Sequence, residues 1–183
     1  INPHFLFNTL NNLYALTLKK SEKAPEIVIK LSEMMRYMLY ECQAEFVPLR
    51  KEIEQMQHFV NLNELQIEER GKITVETKNI IGNYEIAPLI LIVFIENAFK
   101  HSSGSLTENI KIDISIELLK NGILKFICKN NHQPQSNTIN LTQGIGLENV
   151  QKRLNLLYPN AHELKIINNK NWYEVNLEIK LNN

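Results

Sequence analysis

The hydrophobic pattern of the chain changes at Gly71, and this change constrains the fold more than any other feature. Before Gly71, apolar residues recur every three or four positions, which is the spacing of one face of an α-helix. After Gly71, several segments alternate apolar and polar residues, as half-buried β-strands do. A chain that is helical first and then rich in hairpins is expected to be an α+β protein, with helices packed on an antiparallel-rich sheet.

Three helices are predicted before Gly71. The first begins at Asn2-Pro3, because Asn can cap a helix and proline is tolerated at the first helical position, and it extends to about Leu18. The second covers residues 25–42 and the third residues 49–70, where Gly71 is expected to end the helix in a left-handed conformation. The first two helices are too short to bury their apolar faces alone, so we expect them to pair with a second copy in a four-helix bundle.

Strands and two further helices are predicted after Gly71. The strands are expected over residues 73–77, 110–118, 123–128, 163–167 and 172–181. Asn121-Gly122 is expected to form a tight hairpin turn, and the polar residues 129–143 a mobile loop. Residues 88–101 fit a buried strand on composition alone, but we favour a helix because its polar residues then have periodic placement and Pro88 can begin it. The last helix is expected over residues 147–158.

Composition and charge exclude several classes of protein. Twenty basic and twenty acidic residues give a formal net charge of zero, and no long basic run occurs, so no direct binding of nucleic acid is expected. The two cysteines, Cys42 and Cys128, fit a reducing compartment rather than a disulfide framework. The longest apolar run is far shorter than the ~20 residues that span a bilayer, so this segment is not expected to contact a membrane. The sequence begins at Ile1 inside a motif, and we expect it to be a fragment of a longer protein.

A histidine, His4, lies on the opening turn of the first predicted helix. A surface imidazole is largely neutral at pH 7 and therefore nucleophilic. The helix dipole disfavours the imidazolium there and favours an added phosphate group. Asn8 follows one turn later, where its side chain can bond one ring nitrogen and leave the other free. An ordinary surface histidine is the alternative, but the flanking Asn-Pro and Phe-Leu-Phe-Asn favour a phosphoryl acceptor.

Three polar residues, Asn97, Lys100 and His101, follow an apolar run. On a helix they face one way, because they occupy positions i, i+3 and i+4. An amide oxygen suits Mg²⁺, which prefers oxygen ligands, while a lysine and a histidine can meet phosphate charge. The alternative is a polar helix end, where Lys and His are favourably placed for the dipole. A nucleotide pocket and a polar helix end therefore both fit this segment.

The segment Gly144-Ile145-Gly146-Leu147 lies at the start of the last predicted helix. Glycines there permit close approach of the backbone and expose N–H groups that can cradle phosphates. Such a segment is weak evidence alone, and the Lys-Ser/Thr of a P-loop is missing. The prediction of a phosphoryl acceptor, a nucleotide pocket and a phosphate cradle therefore depends on the order and separation of the three segments.

In this order the segments resemble the sensor histidine kinases of the LytS type, whose ATP-binding part has the gyrase–Hsp90–histidine kinase–MutL (GHKL) fold. The resemblance covers nearly the whole chain. It lies in residues 2–8 (Asn-Pro-His-Phe-Leu-Phe-Asn, the phosphoacceptor box), Leu31-Ser32 and Arg36-Tyr37 of the second helix, residues 88–101 (the N box), and residues 144–147 with Asn149 and Arg153-Leu154 (the glycine box).

The resemblance implies a role for each candidate residue. His4 would accept the γ-phosphoryl group of ATP, with Asn8 beside it. Asn97 would hold Mg²⁺, and Lys100 and His101 would lie near the phosphates. The phosphate cradle would be Gly144, Gly146 and Leu147, the two glycines acting as hinges of a lid formed by residues 131–143.

The resemblance also implies an organisation and partners. Residues 1–45 would be the dimerisation and phosphoacceptor helices, and residues 46–183 the catalytic ATP-binding domain, a GHKL α/β sandwich. The protein would be a homodimer that passes the phosphoryl group to an aspartate of a response regulator, often one with a LytTR DNA-binding domain. The chain would be the cytoplasmic part of a sensor anchored in the inner membrane.

The chain departs from the family pattern after the strand that is expected to end at Cys128. The family usually has an Asp-x-Gly-x-Gly box there, and its aspartate accepts a hydrogen bond from the adenine amine. By strand register Asn130 takes that place, and both glycines are replaced. An amide oxygen can still accept the bond, without the charge. A non-catalytic signalling and dimerisation module therefore remains an alternative, whereas a simple nucleotide hydrolase would give the His4 segment no role.

Overall fold

The structure is a computed structural model that describes residues 3–133 and 145–182, with side chains for residues 5–67, 69–133 and 146–182. Its helices are α1 (Pro3–Leu18), α2 (Ala24–Arg36), α3 (Leu49–Ile67), α4 (Ile90–Ser105) and α5 (Ile145–Leu157). A π-helical turn (Tyr37–Glu41) continues α2, and a short 3₁₀ turn (Glu68–Arg70) follows α3. The strands are β1 (Val47–Pro48), β2 (Gly71–Lys78), β3 (Glu85–Ile86), β4 (Ile110–Leu118), β5 (Ile123–Asn131), β6 (His162–Asn168) and β7 (Trp172–Lys180).

Five of the strands form one sheet in the order β2-β4-β5-β7-β6. Only the β2–β4 pair in this sheet is parallel; β4–β5, β5–β7 and β6–β7 are antiparallel. The short strands β1 and β3 form a separate antiparallel pair. The α+β class and the antiparallel-rich sheet are therefore as predicted, and so is the β4–β5 hairpin, where Gly122 takes a φ of 76°.

One face of the sheet is covered by α4. Alternate residues of β5 are buried, namely Leu124, Phe126, Cys128 and Asn130, and the ring of Phe126 lies 6.0 Å from that of Phe94 in α4. The same alternation places Asn130 on the core face of the sheet, under α4. A polar side chain is therefore built into the end of an otherwise apolar row.

Several boundaries differ from the prediction: α4 begins at Ile90 rather than at Pro88, and two further differences have a clear physical reason. Gly71 is extended rather than left-handed and begins β2, where a Cβ atom would collide with the carbonyl oxygen of Ile110 in the neighbouring strand. Glycine is required there by close approach of two backbones, not by a helix end. Strand β5 also continues to Asn131, so the loop expected from residue 129 was predicted to begin too early. Residues 134–143 of that loop lie outside the described part of the chain.

Helices α1 and α2 form a hairpin whose inner face joins the core of the protein. The buried residues of this face include Phe5, Ile27, Leu31, Met34 and Tyr37. The ring of Phe5 packs against that of Phe59 in α3, with 4.7 Å between centroids. Among the described residues, no helix has the length and apolar character required to cross a bilayer.

Candidate functional site

Helix α4 positions the three polar residues predicted to face a nucleotide. Its buried stripe, formed by residues such as Phe94, Ala98 and Phe99, anchors it on the sheet and on α3. Asn97 and His101 lie half-buried beside this stripe, while Lys100 is exposed. The helical prediction for this segment is confirmed, and its consequence is that the three side chains follow one another along one side of α4.

The amide of Asn97 is incompletely satisfied. Its Nδ2 atom is buried and has no hydrogen-bond partner within the described structure. A buried polar group left without a partner costs about 1–3 kcal/mol. Such a group fits a position where a ligand supplies an acceptor, for example a phosphate oxygen.

Asn130 has the opposite deficit. Its Nδ2 atom donates to Ser102 Oγ at 3.1 Å and to the backbone oxygen of Asn131 at 3.2 Å. Its Oδ1 atom is buried and has no partner among the described residues. The site therefore contains an orphaned acceptor on β5 as well as an orphaned donor on α4.

The orientation of the Asn130 amide follows from its neighbours. Ser102 Oγ donates to the backbone oxygen of Asn131 at 2.6 Å, so it can only accept from Asn130. The other neighbour of the amide nitrogen is a carbonyl oxygen, which also only accepts. The donor end of the amide must therefore point at Ser102 and Asn131, and the carbonyl end is left for an N–H group of a ligand.

The described half of the glycine segment lies against α4. A Cβ atom on Gly146 would be 3.9 Å from Cγ1 of Val93, which is one helical turn before Asn97. Helix α5 begins at Ile145, so Gly146 belongs to its first turn rather than to the loop before it, and Leu147 packs half-buried against the core. Backbone N–H groups in a first turn have no intrahelical partner and suit an anion. Gly144 lies outside the described residues.

The beginning of α1 reaches α4 through one intervening ring. The ring of Phe5, the residue after His4, lies 4.7 Å from that of Phe59, which in turn lies 6.2 Å from the ring of Phe99. Phe99 belongs to the buried side of α4, whereas Asn97 and His101 follow another side of that helix. The two ring contacts therefore pack the start of α1 on α3 and α3 on α4.

Comparison with known proteins agrees with this arrangement. The family model for histidine kinase matches residues 1–71. The sensor protein LytS of Oceanobacillus iheyensis is 33% identical over 92% of this chain, and the sensor histidine kinase/phosphatase LytS of Staphylococcus aureus 27% identical over 90%. The chain is therefore similar to sensor histidine kinases of the LytS type along most of its own length. It spans 31% and 30% of the length of these two relatives.

Solved structures with a similar fold come from histidine kinases. The catalytic domain of histidine kinase ThkA superposes with a TM-score of 0.53 and 18% identity over 74% of this chain and 93% of that domain. The histidine kinase domain of the blue-light activated kinase of Erythrobacter litoralis superposes with a TM-score of 0.54 and 14% identity. This match covers 91% of this chain and 83% of that domain. The fold is therefore that of histidine kinase catalytic domains, which have the GHKL architecture.

The lid that the kinase family implies does not begin at Asn131. Its Oδ1 atom accepts from the backbone N–H of Lys111, and its Nδ2 atom donates to the backbone oxygen of Asn109, both at 2.7 Å. The backbone N–H of His132 also donates to the oxygen of Asn171, at 3.0 Å. Asn131 is thus fixed in the sheet, which corrects the expectation that it belongs to a lid.

His101 is held in its neutral form at neutral pH. Burial, and then the charges of Lys100 and His132, lower the pKa of its imidazole. Its ring lies 6.4 Å from that of Tyr173, the residue that faces Asn130 across the β5–β7 pair. His101 and Asn130 therefore approach the same end of the sheet, as the kinase family implies for a nucleotide pocket.

On α1, Asn8 lies half-buried along a groove of about 380 Å³ between α1 and α3. The predicted bond to His4 concerns a side chain outside the described part of the kinase chain, so it stays a prediction.

Two polar residues of this chain were not singled out from the sequence. Ser102 and Glu52 are both fully buried, each with a relative exposure of 0%. Each interrupts a helical apolar stripe: Ser102 follows Ala98 and Phe99, and Glu52 lies among Leu49, Ile53 and Met56. A polar residue at a core position of a helix is the signal that would have found them.

Proposed function

We propose that this chain is the kinase core of a two-component sensor. It binds ATP with Mg²⁺, phosphorylates itself on His4 and passes the phosphoryl group to an aspartate of a response regulator. The observation that carries this proposal is the pair of buried amide atoms without partners among the described residues, Nδ2 of Asn97 on α4 and Oδ1 of Asn130 on β5. It supports a polar ligand at α4 and β5, and the ring contacts Phe5–Phe59 and Phe59–Phe99 support a helix α1 that packs on α3, which packs on α4.

The adenine end of the nucleotide belongs at Asn130. The orphaned Oδ1 atom of Asn130 accepts a hydrogen bond from the exocyclic amine of adenine. Guanine has an oxygen at the equivalent position, which would face Oδ1 without a proton between them. Base recognition in this proposal is therefore a neutral hydrogen bond in place of the aspartate that is usual in the family.

The phosphate end belongs along α4 and the start of α5. Lys100 supplies positive charge, neutral His101 supplies a ring N–H, and backbone N–H groups at Gly144, Gly146 and Leu147 cradle the phosphates. Mg²⁺ commonly uses one or two protein oxygens together with phosphates and water, so the single amide of Asn97 suits it. Among the described residues, no group of three His, Cys, Asp or Glu side chains could hold a metal unaided.

The transfer step is a substitution at phosphorus. A ring nitrogen of His4 forms a bond to the γ-phosphorus while the bond from that phosphorus to the bridging oxygen of ADP breaks, and ADP leaves. Asn8, one turn along α1, holds the imidazole so that one ring nitrogen is free. Positioning and charge neutralisation supply most of the acceleration in such reactions.

The assembly and location that we propose follow the sensor kinase family. Residues 1–45 are the dimerisation and phosphoacceptor helices of a homodimer, and residues 46–183 the ATP-binding domain. The response regulator is one of LytTR type, and the chain is the cytoplasmic part of a membrane-anchored sensor. The second candidate, a non-catalytic signalling module, is favoured by one feature: Asn130 and Lys129–Pro134 replace the acidic glycine-containing box.

Labelling with ATP separates the candidates. Incubated with Mg²⁺ and γ-labelled ATP, the kinase is expected to acquire acid-labile, base-stable label that His4→Gln abolishes and Asn97→Ala lowers at least ~30-fold, since positioning dominates the step. His162→Gln in β6 and Asn155→Ala on the exposed side of α5 are matched controls. Nucleotide binding without label, in this fragment and in its full-length parent, would support the non-catalytic module.

A further inference from the structure

Glu52 connects two parts of the molecule that the proposed reaction must bring together. It lies in α3 and is fully buried. Its Oε2 atom accepts from the Tyr37 hydroxyl at 2.6 Å and from the backbone N–H of Leu89 at 3.0 Å. Tyr37 begins the π-helical turn at the end of the α1–α2 hairpin, and Leu89 is the residue immediately before α4. A single carboxyl oxygen thus joins the hairpin that bears His4 to the helix that bears Asn97.

The residues before α4 depend on such bonds. Leu89 has a left-handed conformation with φ of 63°, which is uncommon for a residue with a branched side chain. The backbone N–H of Ala87 donates to the Tyr158 hydroxyl at 2.7 Å, and Arg153 Nη1 donates to the oxygen of Pro88 at 2.5 Å. Three consecutive residues are therefore each held by a side chain from elsewhere, and the side chain of Glu52 is also hydrogen-bonded to Tyr37 of the hairpin.

The surroundings keep this bridge intact. Burial raises the pKa of the Glu52 carboxyl, and the bonds from Tyr37 and Leu89 oppose that rise. Burial, and then the nearby Glu52, raise the pKa of the Tyr37 hydroxyl, so it remains a donor. The other titratable groups near the carboxyl are Arg153, Tyr158 and Cys42, and burial raises the pKa of that thiol to about 11.

Stability alone does not account for a carboxyl at this position. Replacing a buried charged or polar cluster by apolar residues of similar size is often neutral or stabilising. The Oε1 atom of Glu52 also has no partner among the described residues, which adds to the cost of burying the group. The physical gain is the connection between Tyr37 and Leu89, which an apolar side chain cannot make. The π-helical turn that presents Tyr37 is a rare feature that often marks functional sites.

We propose that Glu52 is a positioning residue for phosphoryl transfer. It couples the position of the α1–α2 hairpin, through Tyr37, to the beginning of α4, through Leu89. The expected effect on phosphoryl transfer rests on the proposed kinase function. The coupling between the hairpin and α4 does not, because it is a property of the folded chain. Movement of the hairpin by an upstream segment then alters the start of the helix that bears Asn97, and occupancy of α4 alters the hairpin in return.

The test removes the hairpin end of the bridge by one hydroxyl. Tyr37→Phe deletes the donor to Glu52, and Tyr40→Phe, in the same π-helical turn but 72% exposed, is the matched control. Tyr37→Phe is expected to raise amide hydrogen exchange at residues 89–93 about tenfold, the effect of losing one buried hydrogen bond to a carboxyl group. Tyr40→Phe is expected to leave that exchange unchanged. Equal exchange in the two variants overturns the proposal, whether or not the protein proves to be a kinase.

Single-turnover labelling of His4 at saturating ATP is the second measurement. Tyr37→Phe is expected to slow it about tenfold while changing the dissociation constant of ATP by less than about threefold, because the nucleotide contacts remain. Glu52→Met breaks both ends of the bridge, and Glu52→Gln, whose amide oxygen can accept from both Tyr37 and Leu89, is expected to restore most of the rate. In the Glu52→Met background, Tyr37→Phe is expected to have no further effect.

The two failures are distinguishable. If the double variant slows labelling by the product of the two single effects, the bridge is contradicted. Independent packing defects add in free energy and therefore multiply in rate. If the wild-type protein takes no label at all, the proposed kinase function fails, and the exchange of residues 89–93 alone decides whether the coupling exists.

Discussion

The α1–α2 hairpin and the α+β part of this chain are incomplete in opposite ways. Helices α1 and α2 leave large apolar side chains in water, among them Phe7, Tyr14 and Leu18 on α1 and Val28 and Ile29 on α2. The sheet and the helices that cover it bury nearly all their large apolar residues, yet they contain the unpaired amide atoms of Asn97 and Asn130. The hairpin lacks an apolar partner surface, whereas Asn97 on α4 and Asn130 on β5 lack polar partners among the described residues.

This difference indicates what each region binds. An apolar surface of several large side chains on one hairpin is stabilised by a similar surface, and a second copy of the chain supplies one with the same shape. Buried donors and acceptors are stabilised by a ligand with matching polar atoms. The comparison therefore yields two separate expectations, dimerisation through the hairpin and nucleotide binding at α4 and β5, which mutations can test independently.

The largest effect is expected from charges on the apolar side of the hairpin. Leu10 and Leu39 line an open groove of about 410 Å³ between α1 and α2. The double variant Leu10→Glu with Leu39→Glu is expected to weaken dimerisation at least ~100-fold, because burying unpaired charges costs several kcal/mol. Sedimentation velocity measures the change, and Ile81→Glu, an apolar residue 73% exposed outside the hairpin, is the control. A wild-type chain that stays monomeric at high concentration would contradict the expectation.

A smaller effect, with opposite signs for binding and stability, is expected at Asn97. Asn97→Leu removes the unpaired Nδ2 atom, so the free energy of unfolding in urea is expected to rise by about 1 kcal/mol. ATP binding, measured by titration calorimetry, is expected to weaken at least ~30-fold, since a charge-assisted contact with the ligand is lost. Asn155→Leu on the surface of α5 should do neither. Destabilisation by Asn97→Leu would show that the amide serves the fold rather than a ligand.

A still smaller effect on ATP binding is expected for Ser102→Ala. The hydroxyl of Ser102 accepts one of the two bonds that orient the Asn130 amide, so its loss permits the amide to turn. The dissociation constant of ATP is expected to rise about threefold to tenfold and the preference for ATP over GTP to shrink, because one hydrogen bond is weakened. Ser103→Ala, whose hydroxyl bonds only within its own helix, is the control. Unchanged preference would mean that Asn130 does not read the base.

The sequence predicted the elements of this fold well because periodicity reports local burial. The alternation of residues 110–118 and the three- and four-residue spacing in α2 and α3 each follow from one apolar face. Gly71 was misread because its requirement comes from Ile110 in another strand. Asn97 was found from helical spacing and Asn130 from the family pattern, but their orphaned atoms depend on packing in the folded chain, which periodicity does not report.

Glu52 was also missed in the sequence, because its bonds to Tyr37 and Leu89 depend on packing between distant segments. The pH dependence of its contribution to stability is the smallest expected effect. Burial raises the pKa of its carboxyl in the folded state, so the folded state holds a proton that the unfolded chain releases at lower pH. The stability that Glu52 contributes is then complete below the pKa of an unfolded glutamate, about 4.3, and decreases as pH rises through its folded pKa. Glutamine does not titrate and is not subject to that decrease.

The free energy of unfolding of the wild type, relative to Glu52→Gln, is therefore expected to fall steadily as pH is raised from about 4.5, where an unfolded glutamate begins to ionise. Urea unfolding at a series of pH values measures this difference. Glu54→Gln, an exposed residue on the same helix, is the control and should run parallel to the wild type. Parallel curves for Glu52→Gln as well would mean that Glu52 is as readily ionised in the folded protein as in the unfolded chain. The bridge between Tyr37 and Leu89 would then contain a charged rather than a neutral carboxyl, and the hairpin and α4 would be joined by charge-assisted hydrogen bonds.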